Sequence, residues 1–221
     1  MKNMLKAFCA VLIVFLTIFS IACKKNVNLE IYLSELRLDY YECDENGYKI
    51  TVIPERRENP YVADGFVGTL KNFITVKAEK SGESMSGAEV FLSYGKEVIN
   101  GALDYDPVSG KYSSSFEVDK FPEAESIEIQ IKSSGDNKVF TVKSQRFSDT
   151  CDYRAVLEKV SEYDKKTVSD LFCKKSVKTE IRIRLLGGDG RNYYYVGFVN
   201  ANGTVAYLAD GLSGEILAKH D

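Results

Sequence analysis

Side chains able to make and break bonds are sparse in this sequence, and their positions narrow the options. The single histidine, His220, stands one residue from the C-terminus. Ser-His-Asp and Cys-His catalysis, and most zinc sites, need a well-placed imidazole, so those classes are nearly excluded. Many carboxylates are present, yet no pair stands out from ordinary surface charge. No catalytic residue, resident metal or cofactor is therefore expected. Asp104-Tyr105-Asp106, and Asp44 with Glu45, offer the oxygens that calcium takes; neither has the full ligand spacing, and turn chemistry explains both. The stretch Gly187-Gly188-Asp189-Gly190-Arg191-Asn192 looks like a phosphate loop. A phosphate loop needs a helix N-terminus behind it, and here a strand pattern follows, so it reads as a hairpin.

Binding chemistry has better candidates. Tyr193, Tyr194 and Tyr195 put aromatic rings on both faces of one predicted strand. At least one face is core, and the other is the best candidate binding surface in the chain. The basic row Lys174, Lys175, Lys178, Arg182 and Arg184 is interrupted by Glu180 and reads as a solvated strand face. A formal charge of −3 argues against a nucleic-acid binder, which would show a basic excess or stripe.

The N-terminus carries the clearest signal. Lys2 and Lys6 precede a charge-free run from Ala7 to Ala22, and small residues precede Cys23. That is the layout of a secretory signal, and roughly 16 apolar residues fall short of a comfortable membrane span. Ordinary cleavage after Ala22 and an uncleaved helix are the competing readings; neither gives Cys23 a role. The stretch Phe19-Ser20-Ile21-Ala22-Cys23 resembles the lipobox of bacterial lipoproteins, with Ser20 where leucine is usual. The resemblance implies a diacylglyceryl thioether on Cys23, cleavage before it, and a protein held on the extracytoplasmic face of the cell membrane. Two acyl chains hold durably, at about 0.8 kcal/mol per buried methylene. Lys24 and Lys25 either meet anionic headgroups, at about 1 kcal/mol each, or belong to a solvated tether.

Removing 22 of the 221 residues leaves 199, enough for one large domain or two small ones. With Cys9 in the leader and Cys23 lipidated, Cys43, Cys151 and Cys173 remain, an odd number. Cys151 with Cys173 is the parsimonious disulfide, closing a loop of about 22 residues worth about 3 kcal/mol. The alternative is three buried free thiols packing as small apolar groups.

Stepping from these residues to the elements that hold them, period-two patterning dominates. Residues 29–34 alternate as a strand, and 36–53 read as a hairpin about Asp44-Glu45-Asn46-Gly47. Residues 54–64, with two prolines, read as a loop. Alternating runs over 72–79, 88–94, 98–105, 111–118, 127–132 and 138–144, with turn signals between, suggest an antiparallel β-sandwich. The period then changes. Tyr153, Val156, Leu157 and Val160 share one helical face, capped by Ser148, Asp149 or Thr150, and Thr167 with Asp170 has the form of a capping box opening a second short helix through Cys173. Strands return over 177–185, 193–199, 204–209 and 215–217, with Asn202-Gly203 the strongest hairpin signal.

Two stretches carry further resemblances. The phrase SGAEVFLSYGKEV with its returning strand resembles bacterial immunoglobulin-like and carboxypeptidase-regulatory-like modules over about 80 residues. The order helix, GxGxxYYYVGF, Asn-Gly turn and VAYLADGLSGEIL is similar to a PepSY-type domain over about residues 150–219, with Asp210, Ser213, Gly214, Glu215, Ile216 and Leu217 on the family's strand-end positions. That family implies a non-catalytic module that binds or inhibits exported proteases.

The chain is thus expected to be mainly β or α+β: a signal peptide over 1–22, a tether over 23–28, an immunoglobulin-like sandwich over 29–147 and a PepSY-like helix-plus-meander domain over 148–221. Its expected role is that of a membrane-anchored interaction module without catalysis, regulating an exported protease, with another exported protein as partner and no nucleic acid. The alternative is a lipoprotein that binds a small solute or cell-wall glycan.

Overall fold

The computed structural model describes residues 27–62, 66–133, 135–173 and 178–221. The leader, Cys23, Lys174 and Lys175 lie outside them. The fold is mainly β, with fourteen strands among the described residues in one continuous network of pairings. In chain order these are β1 (Leu33–Arg37), β2 (Tyr41–Glu45), β3 (Tyr48–Glu58), β4 (Leu70–Lys80), β5 (Glu89–Tyr94), β6 (Glu97–Ala102) and β7 (Asp104–Asp106). Then come β8 (Lys111–Glu117), β9 (Ser126–Ser133), β10 (Asp136–Ser144), β11 (Glu180–Gly188), β12 (Arg191–Asn200), β13 (Gly203–Asp210) and β14 (Ile216–His220). Two helical pieces, α1 (Tyr153–Tyr163) and α2 (Lys165–Val168), separate the last four strands from the rest. No helix among the described residues is long and apolar enough to cross a membrane.

Strands β6-β5-β9-β10-β2-β3-β4-β8-β7 pair in that order, all antiparallel, and enclose the first core. Its members recur at every second residue, as a sheet with one dry face requires: Ile50 and Val52, Ile74, Val76 and Ala78, Val90 and Leu92, Ile127, Ile129 and Ile131, Phe140 and Val142. The β2–β3 turn carries positive φ at Asn46 (54°) and Gly47 (77°), the backbone that an Asn-Gly hairpin favours.

The second core lies between α1 and the meander β11–β14. Val156, Leu157 and Val160 pack onto Ile181, Ile183, Tyr194, Val196, Phe198 and Tyr207. Strand β1 completes this sheet rather than the first: it runs parallel to β11, with Leu33 opposite Ile181 and Leu36 opposite Ile183. Leu29 and Leu33 are members of the second cluster. Strand β1 also pairs antiparallel with the far end of β3, Glu35 opposite Arg57, so one strand joins the two units.

Three local expectations are corrected. Residues 29–32 form a 3-10 turn instead of a strand, because Asn28 Oδ1 accepts the Glu30 N–H and caps it. Residues 54–58 are strand, not loop. Pro54 faces Ile74 of β4; on its other side it falls between the β2 pairing, which ends at Val52, and the β1 pairing, which begins at Arg56, so no partner strand stands there. The caps also differ. Asp152, not a residue of 148–150, caps α1 through the Arg154 N–H, and Asp164, not Thr167, caps α2 through the Thr167 N–H.

Candidate functional site

Strand periodicity splits the three tyrosines. Tyr194 faces α1 and is fully buried, its hydroxyl donating to the Cys151 carbonyl at 2.8 Å; it belongs to the core and not to the binding surface. Tyr193 and Tyr195 stand on the opposite face. Cross-strand register arranges that outer face in rows: Arg37, Arg184, Tyr195, Leu208 and Ala218 in one, Glu35, Arg182, Gly197, Ala206 and His220 in the next. A third pairs Leu186, Tyr193 and Asp210. The Tyr195 ring lies flat across Gly197, where an added Cβ would sit 2.5 Å from the phenol oxygen. Any side chain at 197 would push the ring off the sheet, so glycine here sets the aromatic in place. Leu186 and Leu217 are 40% and 54% exposed, so this end of the molecule presents apolar surface to solvent.

A charged chain borders the aromatics. Arg184 grips Glu35 with two bonds, Nε to Oε1 at 2.6 Å and Nη2 to Oε2 at 2.9 Å. Arg37 Nε lies 2.7 Å from Glu35 Oε1 and 2.8 Å from Glu55 Oε2, its N–H out of line with both, so it holds the pair by charge rather than by a directed bond. Glu55 Oε1 also accepts from Arg57 Nε and Thr75 Oγ1, each at 2.9 Å. Burial on its own would raise the Glu35 pKa; the Arg184 hydrogen bonds and the Arg37, Arg184 and Arg182 charges outweigh it and hold the carboxyl below its usual range. Glu35 thus favours its charged form, and the two carboxylates sit among Arg37, Arg57 and Arg184 as an electrostatic frame.

Of the basic row, Arg182 and Arg184 lie on this outer face. Arg182 donates to the Tyr61 hydroxyl at 2.6 Å and lies over its ring, while the Lys178 ammonium sits 3.5 Å from the Phe66 ring centre. Sequence reasoning missed Glu35, Arg37, Glu55 and Arg57. The alternation of Glu55 and Arg57 against Arg56 and Glu58 was the available signal, masked by the reading of 54–64 as a loop.

A second feature is a cleft of about 740 Å³ where the units meet, lined by Asp39, Pro122, Glu123, Glu125, Arg146 and Phe147 among others. Both Asp39 oxygens accept from Ser144 Oγ at 2.8 Å, and burial raises this carboxyl above its ordinary pKa. Arg146 is committed to structure, donating to the carbonyls of Leu38, Thr150 and Cys151.

The remaining candidates resolve as follows. Asp210 Oδ1 accepts the N–H groups of Leu212 and Ser213 and the Ser213 hydroxyl, tightening the turn before β14. Asp106 accepts from the Val108 N–H and Ser109 Oγ in the β7–β8 turn. Residues 187–192 are the β11–β12 hairpin, with positive φ at Asp189 (51°) and Gly190 (70°). Cys43 and Cys151 are half-buried free thiols; burial pushes Cys43 up to about 11 and also raises Cys151. With Cys151 a free thiol, the structure does not form the expected Cys151–Cys173 disulfide; the side chain of Cys173 lies outside the described residues.

No family model, curated protein or solved structure matches this chain.

Proposed function

We propose that this chain is an exported lipoprotein, anchored through Cys23 on the extracytoplasmic face of a cell membrane, whose folded part binds another exported protein without catalysing a reaction. The observation that carries the binding role is the outer face of the C-terminal sheet. One face of that sheet is sealed by α1; the other holds Tyr193, Tyr195, Leu186 and Leu208 beside a fixed frame of arginines. Aromatic and arginine side chains are the types that dominate protein-binding hot spots, and Gly197 keeps Tyr195 flat enough to present its ring. The helix-then-meander order and the Asp210 turn support the likeness to PepSY-type modules, and with it a protease as the kind of partner. A photo-crosslinking residue in place of Leu208, in the acylated chain, is expected to give one discrete adduct with an exported protein. The same residue at Val139, on the sandwich, is expected to give none. Equal labelling from both positions would overturn the reading.

The junction cleft supports the second reading, a binder of a small solute or wall glycan. Its distinguishing result is a rise in melting temperature with a soluble glycan that Phe147→Ala removes.

A further inference from the structure

We infer that the end of the C-terminal sheet where β1 and β11 begin lies against the bilayer surface, with Tyr61, Val62 and Phe66 seated among the lipid headgroups. The inference rests on the lipid anchor proposed at Cys23 and adds a second, non-covalent contact to it. Three residues, and so four Cα-to-Cα steps, separate Cys23 from Val27, the first described residue, a reach of at most about 14 Å. Six more lead to Leu33, four of them wound in the 3-10 turn, so the start of β1 lies within about 15 Å of where the tether leaves the body. Leu33 is opposite Ile181, which fixes the same end as the start of β11.

That end also carries the connection between β3 and β4. Strand β3 runs antiparallel to β1 and finishes at Glu58, and β4 opens at Leu70 opposite it. The connection presents Tyr61, Val62 and Phe66, which are 49%, 52% and 59% exposed, and Ile31 at 63% stands just before β1. Large apolar groups are thus gathered beside the tether. Cations accompany the two rings: Arg182 with Tyr61, Lys178 with Phe66. Rings that are apolar in body and flanked by basic groups suit the interface between acyl chains and anionic headgroups. Of the acids of the region, Asp64 lies in the connection itself and sets one negative charge against the Arg182 and Lys178 cations. Glu58 and Glu180 are buried, Glu58 accepting the Gly68 N–H, and Glu30 is paired with Arg154. A lipid surface fits better than a protein groove because the tether delivers this end to the membrane in every copy.

The sequence contains no tryptophan, so Phe66→Trp places a sole tryptophan at the proposed contact, excited beyond the tyrosine absorption band, and Val108→Trp, at a site 95% exposed in the β7–β8 turn, makes the control. Each acylated full chain is reconstituted into phosphatidylglycerol–phosphatidylcholine vesicles containing bromine-labelled acyl chains. Emission from Phe66→Trp is expected to blue-shift and lose about half its intensity, while Val108→Trp stays unquenched. In the Cys23→Ala background, co-sedimentation with the anionic vesicles is expected to fall about tenfold on Tyr61→Ser with Phe66→Ser. Acylated protein whose Phe66→Trp emission remains that of water would overturn the docking inference alone, including the case where a protein partner covers the patch. Absence of acyl label on Cys23 would sink the anchor reading instead.

Discussion

At the scale of single residues, the sharpest electrostatic device is Asp164. Its burial disfavours ionisation, but the Thr167 N–H and hydroxyl, the Lys219 ammonium and the Tyr207 hydroxyl bring its carboxyl down to about 2. An unfolded aspartate titrates near about 3.9. The folded pKa is the lower one, so the stabilisation is fully present above the unfolded value and disappears as pH falls through the folded one. The melting temperature of the natural chain should therefore drop more steeply between about pH 4 and pH 2 than that of Asp164→Asn; parallel melts would reveal an error in this assignment. Tyr194 gives a second test. Tyr194→Phe keeps the ring packing but strips the Cys151 carbonyl of its shortest donor, and should cost about 1–2 kcal/mol in urea unfolding. Asn192 plays a comparable part: its side chain accepts from the Phe147 N–H and the Thr150 hydroxyl and donates to the Gln145 carbonyl, pinning the connection between the two cores.

At the scale of elements, legibility followed the reach of the physics. Strands β4, β5, β9 and β10 were readable because each buries one face against the first core, and β8 because half-buried Tyr112 and Phe116 pack on it; that leaves a period-two trace in the residues themselves. The helical face of α1 was readable for the same reason, with Val156, Leu157 and Val160 inward. Capping residues were misplaced by two to four positions because several Asp, Ser and Thr residues compete for each role, and only geometry selects Asp152 and Asp164. The outer-face frame was illegible. It joins residues of β1, β3 and β11, and nothing near Glu35 announces that Arg184 will meet it. This network makes its own prediction. Glu35→Gln leaves Arg37 and Arg184 facing each other with one carboxylate lost. Because both arginines are partly exposed, the expected destabilisation is about 1–3 kcal/mol, below that for a fully buried pair. A double-mutant cycle of Glu35→Gln with Arg184→Gln should show a coupling of the same order; additive effects would contradict the bidentate contact.

At the scale of the whole molecule, the two cores share a strand and a pinned connection. The first strand of the chain belongs to the last sheet. Leu33→Ala should therefore cost about 2–4 kcal/mol, and its loss of amide protection in hydrogen exchange should concentrate in β11 and β12 rather than in β4 and β9. Protection lost evenly from both cores, or first from the sandwich, would argue against this assignment. The sandwich and the helix-plus-meander were each legible in sequence. Their joining was not, because a parallel pairing between distant segments leaves no local mark.

That pairing also sets an order in time. The Ser34 hydroxyl meets the Ile181 carbonyl across 147 positions of chain. Closing a loop of that length costs about 4–5 kcal/mol of chain entropy before any contact offsets it. In a chain released N-terminus first, the β3 side of the opening strand can close early, but its β11 side waits until residues 180–188 are available. One edge of the earliest strand is thus among the last pairings to form.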